Sequence, residues 1–198
     1  SLVLHTLGAL NLNVFPDDST YMSQSANIIN SQIINANSFP ILPMYLTDIA
    51  YRVFGYTTFA ARFWQIIFGA LIVVVVFLIT REFFDSKTAL GAAFFATFCN
   101  MINRMTFTEQ SLMVFFLVFL ASYFGIKFLK TNNVIWSVLA AMTFGLGCLT
   151  KYNSPFFILA FLLFSCYWYK LRDNKSLLEV VKEKRKSLLI FLSIILLF

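Results

Sequence analysis

The chain has 198 residues, of which 60% are hydrophobic and only 12% are charged. No soluble domain of this length buries so much apolar surface in one core, so the composition excludes an ordinary globular protein. The net charge of +6 comes mostly from Lys and Arg at the ends of apolar segments, which argues for orientation in a membrane and against nucleic-acid binding. We therefore predict an all-α, polytopic membrane protein with about six to seven transmembrane helices.

The N-terminal part of the chain combines the end of a first span, residues 1–12, with a long loop at 13–62. Two stretches of this loop, SQSANIINSQIINA and PILPMYLTDIAYRVFG, space their apolar residues as an amphipathic helix does. In the second stretch these residues are Leu46, Ile49, Ala50 and Val53. Pro40 and Pro43 suit the break before a helix and its first turn. We predict two interfacial helices that lie along the membrane surface.

Apolar segments of about 15 to 20 residues, the length that crosses a bilayer core as a helix, follow the loop. They run over 63–80, 88–103, 111–126, 134–149 and 155–169, and a last one begins near 187. The chain starts and stops inside apolar segments. We therefore expect residues 63–198 to be further spans in the N-terminal part of a longer protein, with the C-terminal part absent from this sequence.

The basic residues divide unevenly between the two sides that alternating spans define. Turns at 81–87, 127–133 and 170–186 hold eleven Lys and Arg, whereas the opposite side holds four. The four are Arg52, Arg62, Arg104 and Lys151. Because cytoplasmic loops carry the excess of positive charge, the first set is predicted to be cytoplasmic and the 13–62 loop to be extracytoplasmic.

Acidic residues fall at two places on the predicted external side. FPDDSTY places Asp17 and Asp18 next to each other after a proline, and RMTFTEQ places Glu109 at the start of a span. Charged groups at a membrane border are costly and tend to be functional. The alternative is local structure, because Asp18 suits a helix N-cap and Glu109 suits a capping box with Thr106.

Basic residues on the same side complete a chemically sensible set. An acid beside cations suits a reaction in which a base deprotonates an acceptor while Arg62, Arg104 or Lys151 holds a leaving phosphate. The alternative for Lys151 is snorkelling to the interface at the end of a span. The sequence contains no Gly-rich phosphate loop and no His or Cys cluster with metal-site spacing.

The order and spacing of six stretches resemble the GT-C superfamily of membrane glycosyltransferases. The similar branch holds the dolichyl-phosphate-mannose protein mannosyltransferases and the aminoarabinose lipid A transferases. The stretches are PDDSTY, PILPMYLTDIAYRVFG, GYTTFAARFWQIIFG, LITREFFDSKTALGAAFFAT, RMTFTEQSLMVFF and FGLGCLTKYNSP. The acidic motif of the family often has Asp-Glu where this chain has Asp17-Asp18, so the resemblance leaves open which carboxylate is the base.

The resemblance implies an inverting glycosyltransferase with a polyprenyl-phosphate sugar donor and a protein, lipid or glycan acceptor. The active site would lie on the extracytoplasmic side of the plasma membrane or the endoplasmic reticulum. Asp17 or Asp18 would be the catalytic base, and Glu109 would position the acceptor, support the base or bind a divalent cation where one is used. The substrate-binding residues would be Arg62, Arg104 and Lys151 at the donor phosphate, together with Tyr21.

Two rival interpretations remain from the sequence. A transporter or channel places charged residues near mid-bilayer in broken helices, whereas here the spans are almost free of charge. A non-catalytic membrane scaffold would keep the fold without the activity.

Overall fold

The computed structural model describes residues 41–99 and 111–151, together with single helical positions at 160, 164, 167, 179, 182, 185 and 193. Within these residues the chain is helical and contains no strand. The chain divides into two compact units, Ser1–Phe116 and Leu117–Phe198. The predicted end of a first span, the first interfacial helix and the two last predicted spans lie outside the described ranges.

Helix α1, Ile41–Phe54, confirms the helix predicted from PILPMYLTDIAYRVFG. Pro43 stands in its first turn, where a missing backbone N–H costs nothing because that group has no partner within the helix. The hydroxyl of Thr47 donates to the Pro43 carbonyl at 3.0 Å. The helix continues to Phe54 and then stops at a glycine.

A tight turn at residues 55–57 joins α1 to α2, Thr58–Phe83. Gly55 has a φ of 75°, which is the left-handed conformation that commonly ends helices. The side chain of Thr57 is the N-cap of α2 and accepts a hydrogen bond from the backbone N–H of Ala60 at 3.2 Å. Around the turn, Phe54 packs on Phe63 with ring centroids 4.8 Å apart.

The two glycines Gly55 and Gly91 make a matched test of this turn. A methyl group at either position meets no atom within 4 Å, so only backbone conformation separates them. Gly55→Ala is expected to lower the free energy of unfolding by about 1 kcal/mol, because φ is positive there. Gly91→Ala, inside a regular helix, is expected to raise it by up to about 1 kcal/mol. Thermal unfolding of the purified full-length protein measures both, and shifts of the same sign would contradict the account of the turn.

Helix α2 is one of two described helices long and apolar enough to cross a membrane. Its 26 residues reach about 39 Å, and they extend the predicted 63–80 segment at both ends. A turn follows at Phe84 and Asp85, as predicted from REFFDSK. Asp85 caps the next helix by accepting from the backbone N–H groups of Lys87 and Thr88 at 3.2 and 3.4 Å. A further hydrogen bond from the Thr88 hydroxyl is the largest of the effects that lower the pKa of Asp85.

Helix α3, Ser86–Thr97, is shorter than the predicted segment at 88–103. Its 12 residues reach about 18 Å, which is less than the roughly 30 Å hydrocarbon core of a bilayer. Phe98 ends the helix with φ −96° and ψ 4°, and its backbone N–H bonds back to the carbonyls of Phe95 and Ala96. The described part of α3 therefore does not cross a membrane on its own.

Helices α4, Ser111–Thr131, and α5, Val134–Cys148, match two further predicted segments. Helix α4 is the second described helix long enough to span, and it continues five residues past its predicted end. Asn132 has a φ of 55°, and Asn133 caps α5 by accepting from the backbone N–H of Ile135 at 3.0 Å. Two candidate spans are thus present among the described residues, while the predicted total of six to seven stays a prediction.

Candidate active site

Helix α1 buries polar side chains and exposes much of its predicted apolar stripe. Asp48 and Tyr51 are 5% and 3% exposed, whereas Ile49 and Val53 are 49% and 68% exposed. The apolar stripe predicted from the sequence exists, but of its four members only Ala50 is buried. A lipid environment explains the inversion, because an apolar side chain gains little by leaving lipid for the protein interior, while a polar one gains hydrogen bonds.

The carboxylate of Asp48 is held at one oxygen and left without a partner at the other. Its Oδ2 accepts a hydrogen bond from Nε of Arg52 at 3.0 Å, in an i, i+4 ion pair on α1. Its Oδ1 is buried and has no hydrogen-bond partner among the described residues. The Arg52 side chain is 60% exposed, so the ion pair runs from the interior to the surface.

Tyr51 and Tyr56 lie beside this carboxylate. Their rings stack with centroids 4.3 Å apart and an interplanar angle of 15°. Burial, followed by the effect of Tyr56, raises the pKa of Tyr51 well above its usual value. Burial and then the negative charge of Asp48 raise the pKa of Tyr56. The three side chains therefore act on each other, and we refer to Asp48, Tyr51 and Tyr56 as the α1 polar cluster.

The Tyr51 hydroxyl is the second unsatisfied atom of the α1 polar cluster. It is buried and lacks a hydrogen-bond partner in the part of the chain that the structure describes. A phenol is protonated at neutral pH, so this hydroxyl is available both to donate and to accept a hydrogen bond. Two buried polar groups with spare capacity on adjacent turns of one helix are unusual in a protein interior.

Helix α2 also turns polar groups inward. Arg62 and Gln65, three residues apart on one helical face, are 5% and 7% exposed. Oε1 of Gln65 is buried without a hydrogen-bond partner among the described residues. The indole N–H of Trp64 donates to the backbone carbonyl of Leu46, which fastens α2 to α1. The predicted phosphate-binding residue Arg62 is thus a buried cation on α2.

Lys151 follows the end of α5, as the sequence predicted. Its backbone N–H donates to the Gly147 carbonyl at 3.2 Å, and its side chain is partly exposed. The neighbouring Thr150 is buried and its hydroxyl donates to the Leu146 carbonyl at 2.8 Å. Lys151 therefore lies just past the end of an apolar helix, a position that suits both snorkelling and binding of a phosphate at a membrane surface.

The other predicted site residues lie outside the described residues. They are Asp17, Asp18, Tyr21, Arg104 and Glu109. Their convergence with Arg62 and Lys151 therefore stays a prediction. Among the described residues, no three His, Cys, Asp or Glu side chains are grouped to hold a metal ion.

Sequence reasoning missed Asp48, Tyr51 and Gln65. Asp48 did carry a signal, because it is the one acidic residue in the stretch PILPMYLTDIAYRVFG and an acid within an apolar helix is costly. The stretch was interpreted through its apolar residues alone. Tyr51 and Gln65 carried no comparable signal, since both residue types are common at membrane borders and helix ends.

The apolar helices and the inverted α1 are features of a membrane-bound protein. A family model described as dolichyl-phosphate-mannose-protein mannosyltransferase matches residues 38–197. The match covers most of the chain, and the chain belongs to this family, as the resemblance to GT-C glycosyltransferases predicted. Comparison with curated proteins and with solved structures finds no match. The matched residues include Arg62, Arg104, Glu109 and Lys151, and they begin after the acidic pair.

Proposed function

We propose that this chain belongs to an inverting glycosyltransferase that transfers mannose or a related sugar from a polyprenyl-phosphate donor to a hydroxyl group. The family match over residues 38–197 carries the proposal. The buried Arg62 supports it, because a buried cation in a mostly apolar helix is costly and is usually retained for an anionic partner. The family description favours a protein acceptor, and lipid and glycan acceptors are the alternatives.

The proposed reaction needs a base, a cation and no nucleotide-binding fold. Asp17 or Asp18 takes the proton of the acceptor hydroxyl as its oxygen attacks the anomeric carbon. The bond between that carbon and the phosphate oxygen breaks, and the polyprenyl phosphate leaves with the electron pair. Because attack and departure are on opposite faces, the configuration inverts. Arg62 and Arg104, with Lys151, stabilise the charge that grows on the leaving phosphate, while Tyr21 and Glu109 position the acceptor.

The distribution of charge favours this enzyme over a transporter. The central segments of α2 and α4, residues 63–80 and 111–126, contain no Asp, Glu, Lys or Arg. Transporters place such residues at the bilayer midplane, where the substrate crosses. In this chain the charges gather at the borders, which suits chemistry at the membrane surface. We place that surface on the extracytoplasmic side, from the excess of basic residues in the opposite turns.

Transfer by the full-length protein tests the proposal. Purified protein in lipid vesicles is expected to move radiolabelled mannose from dolichyl phosphate mannose to a Ser/Thr-rich peptide or to a lipid or glycan acceptor. The same preparation given GDP-mannose is the control and is expected to transfer nothing, because the donor must be lipid-linked. Absence of transfer from dolichyl-phosphate and shorter polyprenyl-phosphate sugars to all three acceptor classes would overturn the proposed function.

A further inference from the structure

We infer that Asp48 and Tyr51 form a subsite that binds hydroxyl groups of the donor sugar, and that Tyr51 donates or accepts a hydrogen bond there. The inference rests on the proposed function and deepens it, because it assigns residues to recognition of the sugar ring and not of the phosphate. It starts from the two polar atoms of the α1 polar cluster that have no partner among the described residues, Oδ1 of Asp48 and the Tyr51 hydroxyl.

The hydrogen-bonding capacity of these atoms defines the ligand. An ionised carboxylate oxygen only accepts, whereas a phenol hydroxyl donates and accepts. The two groups stand three residues apart on the same helical face. A ligand that satisfies both must donate to Asp48 and, beside that donor, exchange a hydrogen bond with Tyr51. Adjacent hydroxyl groups on a sugar ring have this pattern.

The hydrogen-bonding character of the α1 polar cluster disfavours the phosphate at this subsite. Phosphate oxygens and the free Oδ1 of Asp48 both accept hydrogen bonds, so neither can donate to the other. Arg52 already neutralises Asp48 through the 3.0 Å ion pair, so the subsite needs hydrogen-bond donors and not a cationic ligand. A neutral polyol meets both conditions, which leaves the phosphate to the separate cations of the chain, such as Arg62.

The geometry is fixed before any ligand arrives. Arg52 holds one oxygen of Asp48, and the stack on Tyr56 holds the Tyr51 ring. A preorganised polar pair loses little freedom on binding. The groups that hold the pair reach the protein surface, since Arg52 and Tyr56 are themselves 60% and 57% exposed.

Tyr51→Phe tests the subsite with Tyr45→Phe as its matched control. Both changes remove one phenol hydroxyl from α1, but Tyr45 is 49% exposed, whereas Tyr51 is buried. In the full-length protein, Tyr51→Phe is expected to lower kcat/KM for dolichyl phosphate mannose about tenfold, while Tyr45→Phe stays within about twofold of wild type. Affinity for dolichyl phosphate, which lacks the sugar, is expected to be unchanged in both variants.

Donor analogues that each lack one mannose hydroxyl locate the contact. With the wild-type protein, kcat/KM for one analogue is expected to be about tenfold lower than for the complete donor. With Tyr51→Phe, the same analogue and the complete donor are expected to have almost equal kcat/KM, because the two changes remove the same hydrogen bond. If every analogue loses the same factor with both proteins, the inference is overturned. A parallel loss of dolichyl phosphate affinity in Tyr51→Phe also overturns it, since this would show a structural role.

A binding measurement keeps the inference separate from the proposed function. If wild-type protein transfers no mannose, saturation-transfer NMR with methyl α-mannoside is decisive. Binding by wild type and Tyr45→Phe, with loss in Tyr51→Phe, supports the subsite even though the transfer reaction is then not the one proposed. Absence of binding to wild-type protein, or equal binding by all three, overturns it.

Discussion

Replacing Asp17 and Asp18 together with asparagine is expected to lower kcat for sugar transfer by about 1,000-fold, since a positioned general base contributes 10²–10⁴-fold. Asparagine is a helix N-cap as good as aspartate, so the double variant removes the base and keeps any cap. The single variants assign the role: the residue whose substitution alone reproduces the loss is the base. Transfer of radiolabelled mannose by the full-length protein measures all three.

Glu109→Gln extends this test to the second acidic position. Glutamine also completes a capping box with Thr106, so a fall in kcat separates a role in the reaction from a role in starting α4. Full activity of the Asp17→Asn, Asp18→Asn double variant would show that neither aspartate is the base. If single cysteines at positions 18 and 109 were labelled from opposite sides of the membrane, the two acids could not share one site, because they must face one compartment.

Substitution of Arg62 by leucine is expected to lower kcat/KM for the lipid-linked donor by at least about 100-fold, because the charge that we propose to face the leaving phosphate is lost. Affinity for dolichyl phosphate alone is expected to fall with it. Arg62→Lys keeps the charge but not the planar pair of donors, so an intermediate loss of about tenfold is expected. Steady-state kinetics with dolichyl phosphate mannose measures kcat and KM separately.

Arg81→Leu is the matched control for Arg62→Leu. Arg81 lies on the same helix, in its last turn, and is exposed. Its replacement removes the same charge from the predicted cytoplasmic end and is expected to leave kcat/KM within about twofold of wild type. Since Arg62 is buried, the unfolding temperature of each variant must be measured beside the activity. A loss of stability in Arg62→Leu with unchanged affinity for dolichyl phosphate would identify Arg62 as structural.

The positions of the long helices were predictable because hydropathy, and the polar residues that separate one apolar segment from the next, are local features of the sequence. The predicted start of α5, at Val134, agrees with the structure, and so does the turn at Asp85. Both places have a polar residue before an apolar run. The early end of α3 at Thr97 was not predictable, because the next residues, FCNMIN, continue the apolar pattern without a proline or glycine.

The orientation of α1 was not predictable from periodicity. A stripe of apolar residues has the same spacing whether it meets a protein core or lipid, so the sequence defines the stripe but not its neighbour. The orientation of α1 depends on the residues of α2 that pack against it. These include Ala60 and Trp64, and Asp48 and Tyr51 of α1 are buried. For that reason the α1 polar cluster emerged only from the structure.

The three-residue turn between α1 and α2 has a mechanical consequence. Gly55 has a left-handed conformation, and the Trp64 side chain is hydrogen-bonded to the Leu46 carbonyl. These two features restrict the movement of α1 relative to α2. If α2 tilts in response to a thicker or thinner bilayer, α1 is then expected to tilt with it. Membrane thickness is thereby expected to change the orientation of Asp48 and Arg62 together, since both lie on this pair of helices.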